Sequence, residues 1–372
     1  MKAHIYVTPL LAAFFCTPTL ALRLVQEEVL IVPANPIVLA NPTIQANPTV
    51  LANPTVLANT YVSGGAGAIV YGNVIAKTYA STGSGSIIHG DFRSGDVTTL
   101  GYGVTVNGNV ESNAAGNAGA NALITGDLVT GGVGTMGASA HVEGNFISGL
   151  AGTIGANAIL DGNWGVGAGS ASTASASSNK ISFDAVDTDV AYLNSVRANI
   201  DSDMTATTND LIEAKAALSD MTSTELTLSA TFVTDGTLFA GVYDAASWST
   251  TAGTTLTLDG QGLDNAIWVF NIGDVLAFGS DSTVELVNVG NNAQVFWNIG
   301  SVSSPGGYAS LGDGADVLGI IIAEDYVTVG ANATVMHASE AYGNCAGIYS
   351  TTSHVSLGAN AVIGSATCGS DD

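Results

Sequence analysis

The chain has 372 residues, with seven Lys+Arg against 31 Asp+Glu and a formal net charge of −24. Nucleic acid and anionic membrane surfaces both demand a basic footprint, so this balance argues against either as partner and fits a soluble, self-repelling protein outside the cell. Apolar residues make up 47% of the chain and charged ones only 10%, which argues against disorder and leaves the surface to Thr, Ser, Asn, Gly and Ala.

The first residues, MKAHIYVTPLLAAFFCTPTLALRL, carry one lysine, an apolar run and a small-residue site ending at Ala21. They read as a secretory signal peptide cleaved near Ala21. The run is too short for a membrane anchor and no basic stop-transfer flank follows, so no membrane insertion is expected.

From residue 34 the chain reads ANPIVLANPTIQANPTVLANPTVLANTYV, in which Asn35, Asn41, Asn47, Asn53 and Asn59 recur every six residues. Val38, Ile44, Val50, Val56 and Val62 keep the same step. Six residues can form one side of a three-sided β-coil. They can equally form an extended stalk, since each proline fixes φ and removes a donor. The in-phase Val/Ile row favours the coil.

A longer period follows. Gly72, Gly90, Gly108, Gly126, Gly144 and Gly162 stand eighteen residues apart, and each is followed by Asn or Asp and then by an apolar residue. Val70, Ile88, Val106, Ile124, Val142 and Leu160 precede the glycines by two positions. A Gly-Asn or Gly-Asp pair tolerates positive φ and turns the chain, and the flanking branched residues suit short strands. Repetition at a fixed interval predicts coils that stack into a β-solenoid with apolar columns inside. A second phrase, as in TIGANA at 153–158, recurs on another side of each coil. With Leu100, Ala118, Met136 and Ile154 inward, strand alternation points Ser81, Thr99, Asn117, Thr135 and Thr153 outward as a ladder. TVGANA from Thr328 and SLGANA from Ser356 repeat the phrase downstream, so coils are expected there too.

Between these sections GSASTASASSNK (169–180) reads as a loop. Phe183, Val186, Val190, Leu193, Val196 and Ile200 then follow helical steps, predicting a helix over about 182–202 with Ser182 as N-cap, and 209–219 a second, shorter helix. The organisation expected is a signal peptide (1–21), a hexad segment (22–62), a regular solenoid (63–170), a helical segment (181–222) and a second solenoid section (223–369). The mature chain keeps Cys345 and Cys368, an even pair that in an exported protein reads as a disulfide.

The later phrases GTLFAGVYDAASW (236–248), TLTLDGQGLDNAIWVFNIG (255–273), NNAQVFWNIGS (291–301), VLGIIIAEDYVTVGANATV (317–335) and HVSLGANAVIG (354–364) occur in an order that resembles the microbial ice-binding protein family, over about 232–364. The resemblance implies an all-β solenoid of triangular section, right-handed, with a long helix packed alongside and one flat face that binds ice. Two features depart from the family's usual pattern: the six-fold regular repeat and the Asn-Pro hexads.

Ice is a rigid, neutral lattice of hydrogen-bonding sites, so a complementary face should be flat, regular and weakly charged. Rungs about 4.8 Å apart and threonines with stiff χ1 meet that demand. The candidate ice-binding ladder is Thr99, Thr135, Thr153, Thr328 and Ser356, with the ice crystal surface as partner. Arg93 and Glu111 interrupt a neighbouring outward column, making that side the poorer candidate.

No catalytic residues, metal or cofactor are expected. Solenoid lyases and hydrolases need clustered carboxylates with basic helpers, whereas no Lys or Arg falls in the family-like region. His89, His141, His337 and His354 lack metal-ligand spacing. GDGADVLG (312–319) lacks a full calcium ligand set and reads as a turn. The alternative function is a secreted adhesin or surface structural protein that binds glycans or cells through the same scaffold.

Overall fold

A computed structural model describes residues 23–25, 43–45, 54–166, 171–173, 188–221, 231–232, 236–300, 306–338 and 346–365. Cys345, Cys368, the signal-peptide segment and most of the hexads lie outside these residues.

Three parallel sheets of 13, 12 and 12 strands form the sides of a single rod. Each coil places one short strand in each sheet. In the first repeat these are Tyr61–Gly64, Ile69–Val70 and Asn73–Ala76, and their counterparts one coil on are Tyr79–Ser81, Ile87–Ile88 and Phe92–Ser94. The sheet containing Tyr61–Gly64 is termed the ladder sheet, that containing Asn73–Ala76 the helix sheet, and that containing Ile69–Val70 the third sheet. Alternation sends every second side chain inward, so Leu100, Ala118, Met136 and Ile154 are buried, as are the columns from Val70 to Leu160 and from Val74 to Trp164. Aromatic rings fill the wider C-terminal section, where Phe270 stacks on Trp297 at 4.2 Å. Thirteen rungs make a rod roughly 58 Å long.

The two kinds of corner are built differently. Between the third and helix sheets stands the column from Gly72 to Gly162. Only Gly72 of this column has positive φ, so the conformational reason for the glycines does not hold for the rest; close approach does. A Cβ on Gly90, Gly108, Gly126 or Gly144 would meet the carbonyl carbon of the preceding corner glycine at 2.6–2.7 Å, a separation no side chain tolerates. The following Asn or Asp then bridges coils: Asn73 Oδ1 accepts the Asp91 amide at 2.8 Å, Asp91 Oδ1 that of Asn109 at 2.8 Å, and the chain of bonds continues to Asn163. Positive φ sits instead at the corner between the ladder and third sheets. Gly67, Gly85, Gly103, Asn121, Ser139 and Asn157 occupy it in succession; all but Ser139 are of the types that enter the left-handed region most readily.

The two solenoid sections are one stack. Strand Pro54–Ala58 lies between Asn73–Ala76 and Gly347–Ser350, while Val62 and Val70 pair in register with Val355 and Ile363. The chain therefore enters at the waist of the rod and winds outward to the coil ending at Trp164–Val166. It resumes at the opposite end with Thr231–Phe232 and winds back to meet its own first coil. Because Pro54–Ala58 has neighbours on both edges, earlier hexads have no free edge there to stack on. The Ile44 hexad instead pairs antiparallel, as Thr43–Gln45 with Arg23–Val25.

One helix, Thr188–Ser219, runs where two were expected. Met204, Leu211, Ala214, Leu218 and Met221 are buried, and all but Ala214 belong to a cluster that includes Ile75, Val129, Ile147, Val269, Phe296 and Ile322 from the outer side of the helix sheet. The stripe from Phe183 to Ile200 lies outside the residues whose side chains are described. A helix stabilised by docking onto an apolar sheet needs no strong amphipathic signal along its whole length.

Candidate functional site

Among the described residues, the helix covers the helix sheet and leaves the other two sides of the rod open. On the helix sheet, Arg93 lies 3.0 Å from Glu111 and 2.8 Å from Asp91, so the column marked as the poorer candidate belongs to the covered side. The helix is fastened there by Lys215, which is buried; its Nζ donates to Asn298 Oδ1 at 2.9 Å and to the carbonyls of Ile299 and Gly300 at 2.5 and 3.0 Å. Burial pulls its pKa down to about 8, against a smaller opposing pull from Glu324.

On the ladder sheet, backbone register places all five candidate residues in one outward row. From the N-terminal outer end it runs Ser172, Thr153, Thr135, Asn117, Thr99, Ser81, Ser63. It crosses the waist from Ser63 to Ser356 and continues through Thr328, Ser310, Ala277 and Ser249 to Thr231. Thirteen rungs thus carry Ser, Thr, Asn or Ala, and none carries a charge. From Thr153 to Ser249 every residue of the row is half-buried or exposed, as short side chains standing on a strand surface should be.

A second outward row runs two positions earlier, which the ladder reading did not include. On the N-terminal coils it holds Val97, Ala115, Val133 and Ala151. Across the waist it becomes aromatic. Tyr308 stacks on Tyr326 at 4.6 Å, Tyr326 on His354 at 5.3 Å, and His354 on Tyr61 at 4.5 Å, with ring planes 7–15° apart; Tyr79 pairs in register with Tyr61. The signal for these rungs is a tripeptide scattered along the chain: Tyr61-Val-Ser63, Tyr79-Ala-Ser81, Tyr308-Ala-Ser310, Tyr326-Val-Thr328 and His354-Val-Ser356. Irregular spacing in the C-terminal section hides it.

The third sheet is less uniform. Its outward row mixes Thr255, Thr283, Asp316 and Thr334 with Ile69, Ile87, Leu123, His141 and Ile159. Charge enters at Asp316 and at the His141–Asp161 contact of 2.8 Å. The remaining described histidines have local partners: His89 stacks on Tyr71, and His337 meets Ser365 at 3.0 Å. Within 312–319 only Asp313–Gly314 forms the expected turn, and Asp316–Leu318 is a strand; Asp313 accepts the Ala331 amide and Asp316 the Thr334 hydroxyl. Among the described residues no three potential ligands gather for a metal ion, and no helix is long and apolar enough to cross a membrane.

The described residues thus form a three-sided β-solenoid with a helix along one side and an uncharged ladder rich in Ser and Thr along another. A sequence model of the Ice-binding-like family matches residues 129–363, and the chain belongs to that family. The match starts upstream of the expected 232 and takes in the last regular coils. The chain is 39% identical over 93 residues to the Ice-binding protein of Nostoc sp. (strain HG1), which covers 25% of this chain and 32% of that one, so the similarity spans about a third of the relative's length. Among solved structures, an ice-binding protein from the Antarctic ascomycete Antarctomyces psychrotrophicus is similar over 85% of this chain and 96% of its own, at 16% identity and a TM-score of 0.43. One from an Antarctic Biological Consortium is similar over 90% and 96%, at 13% identity and a TM-score of 0.46.

Proposed function

We propose that this is a secreted protein that adsorbs to ice through the ladder sheet. The observation that carries the reading is the thirteen-rung row of Ser, Thr, Asn and Ala that includes Thr99, Thr135, Thr153, Thr328 and Ser356. A parallel sheet repeats its surface about every 4.8 Å, and threonine holds its hydroxyl and methyl in a fixed relation. Many weak contacts then add without ordering flexible side chains. Membership of the Ice-binding-like family supports the same reading. Secretion follows from the residues up to Ala21, and no catalytic step forms part of the function.

The test is to purify residues 22–372 and grow a single ice crystal in the solution while following its shape and the interval between melting and freezing. Faceted growth with a measurable interval is expected. Smooth disc-like growth at high protein concentration overturns the reading. Secretion is checked separately, by the N-terminal sequence of the exported protein, which is expected to begin at Leu22.

A further inference from the structure

We propose that ice contact is confined to the N-terminal coils, around Thr135 and Thr153, because an aromatic ridge at the waist lifts the rest of the ladder sheet off a flat surface. This inference rests on the ladder sheet being the ice-facing side.

The ridge follows from the ring geometry. Parallel planes whose centroids repeat at 4.5–5.3 Å along the rod cannot lie flat on the sheet, since coplanar rings at one strand spacing would overlap. They stand side by side across the rungs with their edges outward, and Tyr61 and Tyr79 remain 37% and 39% exposed. A tyrosine ring reaches well beyond the methyls of Thr, Val or Ala. A planar solid resting on the ridge therefore misses the short side chains beside it. Five consecutive rungs, from Tyr308 to Tyr79, carry such a ring.

Either side of the ridge the second row drops to small residues. On the C-terminal side Val275 marks that level beside Ala277. On the N-terminal side four rungs, from Val97 to Ala151, carry only Val or Ala beside the threonine row, with Leu150, 55% exposed, at the corner before Ala151. Tyr102, 61% exposed, bounds this area at the corner beyond Thr99, whereas the same corner holds Ala138 and Ala156 beside Thr135 and Thr153. The widest level area is thus the outer N-terminal one, where branched methyls and hydroxyls alternate across the two rows.

Ala151→Tyr and Val275→Tyr place the same bulk at equivalent second-row positions on opposite sides of the ridge. Ice-crystal faceting and the melting–freezing interval are read for both, with thermal unfolding by circular dichroism to establish that each variant is folded. Loss of faceting and of most of the interval is expected for Ala151→Tyr, and retention of both for Val275→Tyr. Tyr61→Ala with Tyr79→Ala lowers the near edge of the ridge and is expected to widen the interval. Equal losses in the two tyrosine variants, or loss in Val275→Tyr alone, overturn the inference while leaving the ladder sheet as the ice-facing side. A wild-type chain that shapes no ice overturns both.

Discussion

Lys215 and Asn298 fasten the helix to the rod: the lysine Nζ donates to the asparagine Oδ1 at 2.9 Å, and the asparagine Nδ2 returns a bond to the Lys215 carbonyl at 3.2 Å. Asn298 also donates to Asn271 Oδ1 and Ser219 Oγ, and burial of the ammonium lowers its pKa from 10.5 to about 8. Between those two values the unfolded chain binds more protons than the folded one, so stability rises with pH across the window, by up to about 3 kcal/mol. Above pH ~10 the direction reverses, because burial raises Tyr243 to about 12 and raises Tyr349 as well, and the unfolded chain then loses those protons first. Denaturant midpoints are expected to increase from pH 8 to about 10 and to fall beyond it. In Lys215→Met the first rise disappears and the fall remains; a Lys215→Met profile parallel to wild type would show that the lysine is not the titrating group.

The two corners make opposite predictions for alanine. At Gly126 an added Cβ would lie 2.7 Å from the Gly108 carbonyl carbon, so Gly126→Ala must push coils apart and is expected to lose about 3 kcal/mol or more. At Gly103 there is open space but a φ of +64°. Gly103→Ala should lose only ~1 kcal/mol, and Gly103→Asn less, since Asn121 and Asn157 already hold that corner with φ of 57° and 58°. Chemical denaturation of the three variants distinguishes the two causes.

Asp127 accepts the Asn145 amide at 2.7 Å in a column it shares with Asp91 and four asparagines. What the position requires is an acceptor, not a charge. Asp127→Asn is expected to leave the melting temperature within a few degrees of wild type, and Asp127→Val to lose ~1–3 kcal/mol by stranding a partly buried amide. Equal effects of the two substitutions would count against the acceptor role.

Register at the waist places Ser365 one rung from Gly72 and Pro54 one rung from Asn73, consecutive positions of an uninterrupted coil. A circular permutant in which a short Gly linker joins 365 to 55, with new termini within 174–187, is expected to fold with the same circular dichroism spectrum. An unfolded or aggregated permutant would mean that the waist pairing depends on the original connectivity.

Much of this organisation is legible in the residues. The eighteen-residue step and the inward columns of Val70 and Val74 define the coil, and alternation alone puts Thr99, Thr135 and Thr153 on one outward row. Two things are not legible, for definite physical reasons. Nothing local relates Ser63 to Ser356, because their pairing is set by how two stacks meet after the helix has carried the chain from one end to the other. The aromatic row is hidden likewise, since Tyr61 and His354 become neighbours only through that meeting. The glycine column was readable as a corner, but its cause was not: close approach and positive φ leave the same letter in the sequence, and only the packing of Gly108 against Gly90 distinguishes them.

Because the chain enters and leaves the stack at its waist, both outer ends of the rod are made from the interior of the sequence. Coils can be gained or lost at the N-terminal outer end, near residue 166, without touching the waist pairing. Each added coil moves that end outward by about 4.8 Å, and the returning helix must lengthen by about three residues at 1.5 Å each to keep pace. With 32 residues the helix spans about 48 Å. The molecule therefore carries its own gauge: copy number sets its length, and a separate connector has to agree with it.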